Sequence, residues 1–314
     1  MPNKKKLSIV TAVYNNEVSL IPLHTNLKLI TNDLFEDVEH IFVNDGSNDN
    51  SLTVLRKLSA SDNRVKIIDL TRNFGQHEAI LTGLDYASGD LIFLIDADLE
   101  ENPKYLVDFV SKLNEGYDII IGNHQEQRKN LTRVILTKSY SILHNLICDY
   151  KIIPNASNMR IFTRQYKNHL LSFGEPAYIG GFCSWIGSQQ GTIQIKRSHQ
   201  NHKSQYSLRK LFHHAHKGIF GFSTKLMRLV SLAGVLVSLI SFLYSLYIIY
   251  GHFFLERNLP GFTSIFILQS FFMGILFVFL GIQSEYIMEI FIQTKNRPLS
   301  LIKSTINIKK KCVE

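Results

Sequence analysis

The stretch LIFLIDADLEENP, residues 91–103, decides how the chain is read. Leu91 to Ile95 is an apolar run of strand length. Asp96 and Asp98 flank a single alanine at its tip, and Glu100 follows two residues later. Open parallel sheets bind ligands beyond the carboxyl ends of their strands, so an apolar strand that ends in acids points to a fold and to a place on it. Oxygen donors clustered there suit a hard divalent cation, Mg2+ or Mn2+, with phosphate oxygens and water filling the remaining positions. Solvated acids at a strand end need no ligand, so the pattern alone leaves both readings open.

The same grammar extends outward. Strands are expected at Leu7 to Val13, Val38 to Asn44, Val65 to Leu70 and Asp118 to Ile121, each followed by a polar or glycine-containing turn and a helical pattern. This alternation predicts an α/β domain built on a mostly parallel, Rossmann-like sheet with helices on both faces. Two more strand ends are polar: TAVYNNE (11–17) and NDGSND (44–49). Asp45 in the second serves equally as a ligand or as a turn former beside Gly46. The first strand is not followed by G-x-G-x-x-G, which argues against a dinucleotide enzyme. The N-terminal stretch has a short apolar run without a cleavage site and reads as a strand rather than a leader, leaving the main domain cytosolic.

Residues 229–250 and 259–284 contain no Asp, Glu, Lys or Arg, and each is long enough to cross a hydrocarbon core of about 30 Å. Lys225, Arg228, Lys295, Arg297 and Lys309 to Lys311 flank them, whereas the intervening loop 251–258 carries little charge. The positive-inside rule then makes both termini cytoplasmic and the chain an integral membrane protein. Before the first run, Leu208, Leu211, Phe212, Ala215, Ile219 and Phe222 recur at helical spacing against a basic face, which predicts an in-plane amphipathic helix. The organisation expected is a catalytic domain over 1–206, the amphipathic helix over 207–228, two transmembrane helices over 229–284 and a basic tail over 285–314. The net charge of +8 concentrates beside the apolar runs, so anionic lipid and a phosphate substrate explain it and nucleic acid does not. Cys148, Cys183 and Cys312 lack zinc spacing, and His213, His214 and His216 fit a basic interfacial helix better than a metal site.

Taken in order, SIVTAVYNNE (8–17), FVNDGSNDNS (42–51), LTRNFGQHEA (70–79) and FLIDADLEENP (93–103) resemble the successive motifs of the family-two glycosyltransferases with a GT-A fold. With the paired apolar helices, the chain is most similar to the branch that transfers sugars to polyprenyl phosphates. The resemblance implies that Ala12, Tyr14 and Glu17 line a nucleotide pocket, that Asp45 hydrogen-bonds the base, and that Arg72 lies near the nucleotide. It implies that Asp96 and Asp98 carry the metal and diphosphate, with Glu100 standing where relatives often have glutamine. The implied partners are a nucleotide-sugar donor, a polyprenyl-phosphate lipid and the membrane.

Two segments depart from the family pattern. Where relatives often carry an acid, the string Ser157-Asn158-Met159-Arg160 has Asn158, which leaves a carboxylate general base in doubt. A phosphate acceptor whose second pKa is about 6 is already largely dianionic at neutral pH and needs no such base. In HQNHKSQYSLRKL (199–211), His199 and His202 replace an expected arginine and glycine, while Lys203, Ser204 and Tyr206 fit. These three, with Arg128, Arg133 and Arg160, are the expected ligands of the acceptor phosphate, since guanidinium groups suit phosphate oxygens. Asp98, Arg160 and Asn158 form the expected catalytic set. Transfer to another lipid-linked glycan and a catalytically silent scaffold that binds a flippase-like partner stay open, as does self-association through Gly234, Ser238 and Ser241.

Overall fold

The computed structural model describes residues 5–124, 153, 155–172, 189–196, 225–254, 261–295, 298 and 300–308. They fall into two units: a sheet domain, to which residues 298–308 belong, and a pair of long helices. Arg128, Arg133, Lys203, Ser204 and Tyr206, and the amphipathic segment as far as residue 224, lie outside the described residues.

The sheet domain runs β1 (Leu7–Val13), α1 (Leu20–Leu34), β2 (Val38–Asn44), α2 (Ser51–Ser61), β3 (Val65–Leu70), α3 (Gln76–Tyr86), β4 (Leu91–Leu94), a 3-10 turn (Pro103–Tyr105), α4 (Leu106–Leu113), β5 (Ile119–His124), β6 (Ala156–Thr163), α5 (Arg164–Ser172) and β7 (Gln190–Ile195). The eight-stranded sheet has the order β7-β5-β6-β4-β1-β2-β3-β8, where β8 is Ile302–Ile306. Strands β1, β2, β3 and β4 are mutually parallel, as are β5 and β7, whereas β6 and β8 run antiparallel to their neighbours. The mostly parallel sheet expected from the alternation is therefore present. Its central strands are buried on both faces, which is why they read as near-continuous Val, Ile, Leu and Phe. Helix α1 buries Leu20, Leu23, Leu27 and Thr31 at helical spacing against this layer, where Phe42, Phe93 and Phe109 are fully enclosed.

One polar cluster shares that core. His40 on β2 contacts Thr11 Oγ1 at 3.1 Å and His24 of α1 at 3.4 Å. His24 lies 3.5 Å from Asp62, whose carboxylate also takes Arg64 through Nε at 3.0 Å and Nη2 at 2.8 Å, and Lys28 at 2.9 Å. Burial holds the pKa values of both histidines below their ordinary range, His40 the more strongly. The Arg64 hydrogen bonds hold Asp62 far below the usual carboxylate range.

Strand β8 is absent from the sequence reading, which assigned residues 285–314 to a tail. It pairs antiparallel with β3, Leu301 O accepts from Thr71 N–H at 2.9 Å, and Asn307 Nδ2 donates to the carbonyls of Ser59 and Val65. Five residues of mixed polarity carry too little periodicity to announce a strand, and a partner more than two hundred residues upstream supplies the ladder.

The second unit comprises α6 (Lys225–Phe254) and α7 (Phe262–Thr294). Both outrun the expected spans, since neither contains a proline to stop it and the next prolines are Pro260 and Pro298. Residues 225–228 thus open α6, and residues 251–254 extend it. The window Phe271–Met288 of α7 is long and apolar enough to cross a membrane, by length and composition. In α6 the apolar stretch Val230–Tyr244 is shorter. The sequence reading expected two crossing segments, and by this measure the described residues contain one.

Candidate active site

Because β1, β2 and β4 are parallel, their carboxyl ends lie at one edge of the sheet. There the β1–α1 loop and the β2–α2 loop are laced together. Asn15, at φ +55°, donates its N–H to Ser47 Oγ at 3.1 Å and accepts from Asn48 N–H at 2.8 Å. Asn tolerates this left-handed conformation better than most residues. Asn16 N–H donates to Ser51 Oγ at 2.9 Å, and Glu17 Oε2 accepts from Asn50 N–H at 2.9 Å. Glu17, expected in a nucleotide pocket, therefore acts first as a tie between the two loops. Ala12 is half-buried at the end of β1, and Tyr14 is exposed beside it.

Asp45 is buried and pins a third loop. Its two carboxylate oxygens accept from the N–H groups of Phe74 at 2.7 Å and Gly75 at 3.0 Å. The next residue must be glycine. Gly46 has φ +65°, and a Cβ there would lie 2.5 Å from the carbonyl carbon of Arg72. The Arg72 guanidinium stacks on the Phe74 ring at 4.3 Å and is exposed. Asp45 therefore serves as the turn former, holding the loop that carries Arg72.

The acidic side is assembled by β6. It pairs antiparallel with β4, Leu94 opposite Arg160, and continuing that register by two residues brings Asp96 opposite Asn158. Asn158 Nδ2 donates to Asp96 Oδ2 at 3.0 Å, and Gln76 Nε2, from the first turn of α3, donates to Asp96 Oδ1 at 2.8 Å. Part of Asp96 still meets solvent, yet its carboxyl is enclosed enough that burial is the largest cause of a pKa pushed up to about 7. The charges of Glu101 and Asp98 add to the rise, while the Asn158 hydrogen bond and the Arg160 charge oppose it. Asp98 is half-buried, with Oδ1 accepting from Glu100 N–H at 3.0 Å. Between them, Leu99 sits at φ +59°, a conformation that costs about 1–2 kcal/mol for a residue with a Cβ.

Arg160 was expected at the acceptor phosphate. It is 5% exposed, and its Nε and Nη2 donate to the carbonyls of Asn158 and Ser157. It braces the strand end that presents Asn158, and its charge eases Asp96. Glu101, Ser157, His124 and Gln76 were not singled out from the sequence. The buried Glu101 accepts from the Ser157 hydroxyl and lies 3.1 Å from His124 Nε2, tying the acid loop to β5 and β6. Glu101 and Gln76 lie within the quoted strings 93–103 and 70–79, Glu101 next to Glu100, which was read there. Ser157 and His124 become visible only once strand register is known.

Among the described residues, no three His, Cys, Asp or Glu side chains converge as a metal cage would. The donor set nonetheless fits a hard cation. Mg2+ is commonly held by one or two carboxylates plus substrate phosphates, and a bound cation would oppose the burial and the repulsion by Glu101 and Asp98 that raise Asp96. Asp98 and Asp96 are the residues that would hold it, with Glu100 adjoining.

Residues 8–184 match the model of Glycosyl transferase family 2. The Bacillus subtilis protein named "Uncharacterized glycosyltransferase YkcC" is 34% identical over 309 residues, covering 97% of this chain and 95% of that one. The SfII prophage-derived bactoprenol glucosyl transferase of Shigella flexneri is 30% identical over 304 residues, covering 96% and 98%. Among solved structures, the Mycobacterium tuberculosis glucosyl-3-phosphoglycerate synthase in complex with Mn2+ and UDP-glucose aligns with TM-score 0.47 and 18% identity, over 67% of this chain and 75% of that one. With the family match spanning more than half of the 314 residues and the relatives aligning nearly end to end, the chain belongs to glycosyl transferase family 2 and is a glycosyltransferase.

Proposed function

We propose that the protein transfers a sugar from a nucleotide-diphosphate donor to the phosphate of a polyprenyl lipid, at the cytoplasmic face of a membrane in which α6 and α7 are both anchored. The observation that carries the reading is the acid pair Asp96–Asp98 at the tip of β4, where Asp96 is fixed by two amides and Asp98 accepts from the Glu100 N–H. The name of the bactoprenol relative supports a lipid-phosphate acceptor, and the apolar length of α7 supports a membrane location.

In this reading the loops tied by Asp45 and Glu17 seat the nucleotide, with Tyr14 and Arg72 at its sides. Asp98 and Asp96 would hold a divalent cation, which would supply charge neutralisation to the departing diphosphate. Asn158 has no basic oxygen to take a proton, and the acceptor requires none: a phosphate dianion is itself the nucleophile. The chain's contribution is alignment and a fixed electrostatic field. Arg128, Arg133, Lys203, Ser204 and Tyr206 are proposed to hold the acceptor phosphate.

The test uses purified full-length protein in lipid vesicles, radiolabelled UDP-glucose, undecaprenyl phosphate and Mn2+ or Mg2+. Label entering the lipid phase with intact protein, and not with Asp98→Ala, supports the proposal. Equal transfer by Asp98→Ala overturns the role of the acid pair. Nucleotide binding without transfer to this lipid, across a panel of sugar nucleotides, overturns the acceptor and favours another lipid-linked glycan.

A further inference from the structure

Behind the laced loops lies a pair of polar side chains that the site as described does not use. Asn44 is the last residue of β2, and Asp69 stands opposite it on β3. They are 2% and 3% exposed. Asn44 Nδ2 donates to Asp69 Oδ1 at 2.7 Å, while Asp69 Oδ2 is buried with no hydrogen-bond partner among the described residues. A half-partnered carboxylate in the interior is costly, and its persistence asks for an explanation. Packing offers none, since Ile67, Ile68 and Leu70 around it on β3 are buried hydrophobics and a leucine would suit the strand better.

The explanation lies in what the carboxylate does to its neighbour. A side-chain amide can turn end for end, but a carboxylate only accepts, so Asp69 draws Nδ2 of Asn44 toward itself and turns Oδ1 away. That oxygen accepts from Ser47 N–H at 3.4 Å, in the turn directly after Asp45. Ser47 Oγ in turn accepts from Asn15 N–H, and Asn15 Oδ1 from Asn48 N–H. The orientation of one buried amide thus runs outward into both loops. Neither Asn44 nor Asp69 faces the ligand edge as a contact.

We propose that Asp69 is a positioning residue for donor binding: by locking the Asn44 amide it sets, through Ser47, the spacing between the loop that carries Tyr14 and the loop that carries Asp45. The inference rests on the nucleotide-site reading given above. It predicts an effect on the donor, because among the described residues the acid loop is not part of this chain of bonds.

The experiment compares Asp69→Leu, Asp69→Asn, Asn44→Ala and the double variant Asp69→Leu/Asn44→Ala in full-length protein. Steady-state transfer from UDP-glucose is measured with calorimetric binding of UDP in the presence of Mn2+. Asp69→Leu is expected to raise the donor KM about tenfold, the size of one lost hydrogen bond, with kcat and acceptor KM unchanged. Asp69→Asn, which keeps an acceptor but loses the lock, falls between it and wild type. The double variant is no worse than Asn44→Ala alone, as expected of residues acting through one bond. An unchanged donor KM in Asp69→Leu, or effects that multiply in the double variant, overturns the inference while wild-type UDP binding leaves the site reading standing. Absence of UDP and GDP binding by wild type overturns both. Should Asp69→Leu fail to fold, the donor KM of Asp69→Asn and Asn44→Ala decides by the same criterion.

Discussion

The two halves of the ligand edge are built on opposite principles. On the nucleotide side, nearly every loop amide has a side-chain acceptor: Asn15 and Asn48, Asn16 and Ser51, Glu17 and Asn50, and Asp45 with the amides of residues 74 and 75. Its one non-glycine residue at positive φ is an asparagine, which tolerates that region. On the acidic side, Asp96, Asp98 and Glu101 crowd together, Asp96 is pushed up to about 7, and a leucine occupies the left-handed region. The first half is finished before a ligand arrives. The second is a concentration of negative charge that a cation would complete. Under the proposed function the laced loops would be the cradle that aligns the donor, and the acid loop would meet the charge that grows on its leaving group.

The largest expected effect comes from breaking the tense half. Asp98→Ala should lower kcat by about a thousandfold, the scale on which a dedicated charge-stabilising group acts, while circular dichroism and UDP-independent stability stay near wild type. Chelating the divalent ion should reproduce the loss in wild type and add nothing to Asp98→Ala.

Next comes the cradle. Asp45→Ala strands the N–H groups of Phe74 and Gly75, and should raise donor KM roughly 10- to 100-fold, since hydrogen bonds to a charged group contribute about 1.5–3 kcal/mol. A kcat loss with unchanged donor KM would show that Asp45 serves the chemistry rather than the cradle. Gly46→Ala tests the same turn by sterics. Its Cβ would stand 2.5 Å from backbone at φ +65°, so urea denaturation should show a loss of about 1–3 kcal/mol.

The smallest effect concerns the core behind both halves. His24 and His40 are held neutral, so the unfolded chain binds more protons than the folded one as pH falls below about 6.5. Stability is therefore fully present above that pH and declines below it, by at most about 1.4 kcal/mol per pH unit for each histidine. His40→Gln should make the urea midpoint shallower in pH between about 5 and 6.5. An unaltered slope would remove the buried pair as its source.

Much of the site was legible because it is local. The acids at the end of β4, the turn at Asp45 and Gly46, and the basic RNFG loop each lie within a few residues of a strand that announces itself by composition. What escaped reading depends on distant pairings. Arg160 looked like a phosphate ligand in the string Ser157 to Ile161, yet the ladder with β4 and the carbonyls of its own strand enclose it. Glu101 drew no reading because its partners, His124 and Ser157, lie on β5 and β6. The segment read as a basic tail gave no sign of a strand because β8 borrows its order from β3.

By itself, the sequence determined the alternating α/β plan, the parallel core strands, the polar ends of β1, β2 and β4, and the apolar character of the two long helices. Each follows from periodicity and residue type over short windows, where sterics and the hydrophobic effect act on neighbours. Only the tertiary structure decided that Asn158 faces Asp96, that Glu101 is buried, that Asp69 orients Asn44, and that β8 closes the sheet. Those outcomes rest on strand register between segments far apart in the chain. A shift of one residue would turn each side chain to the other face, and nothing in a local window records which register the whole sheet selects.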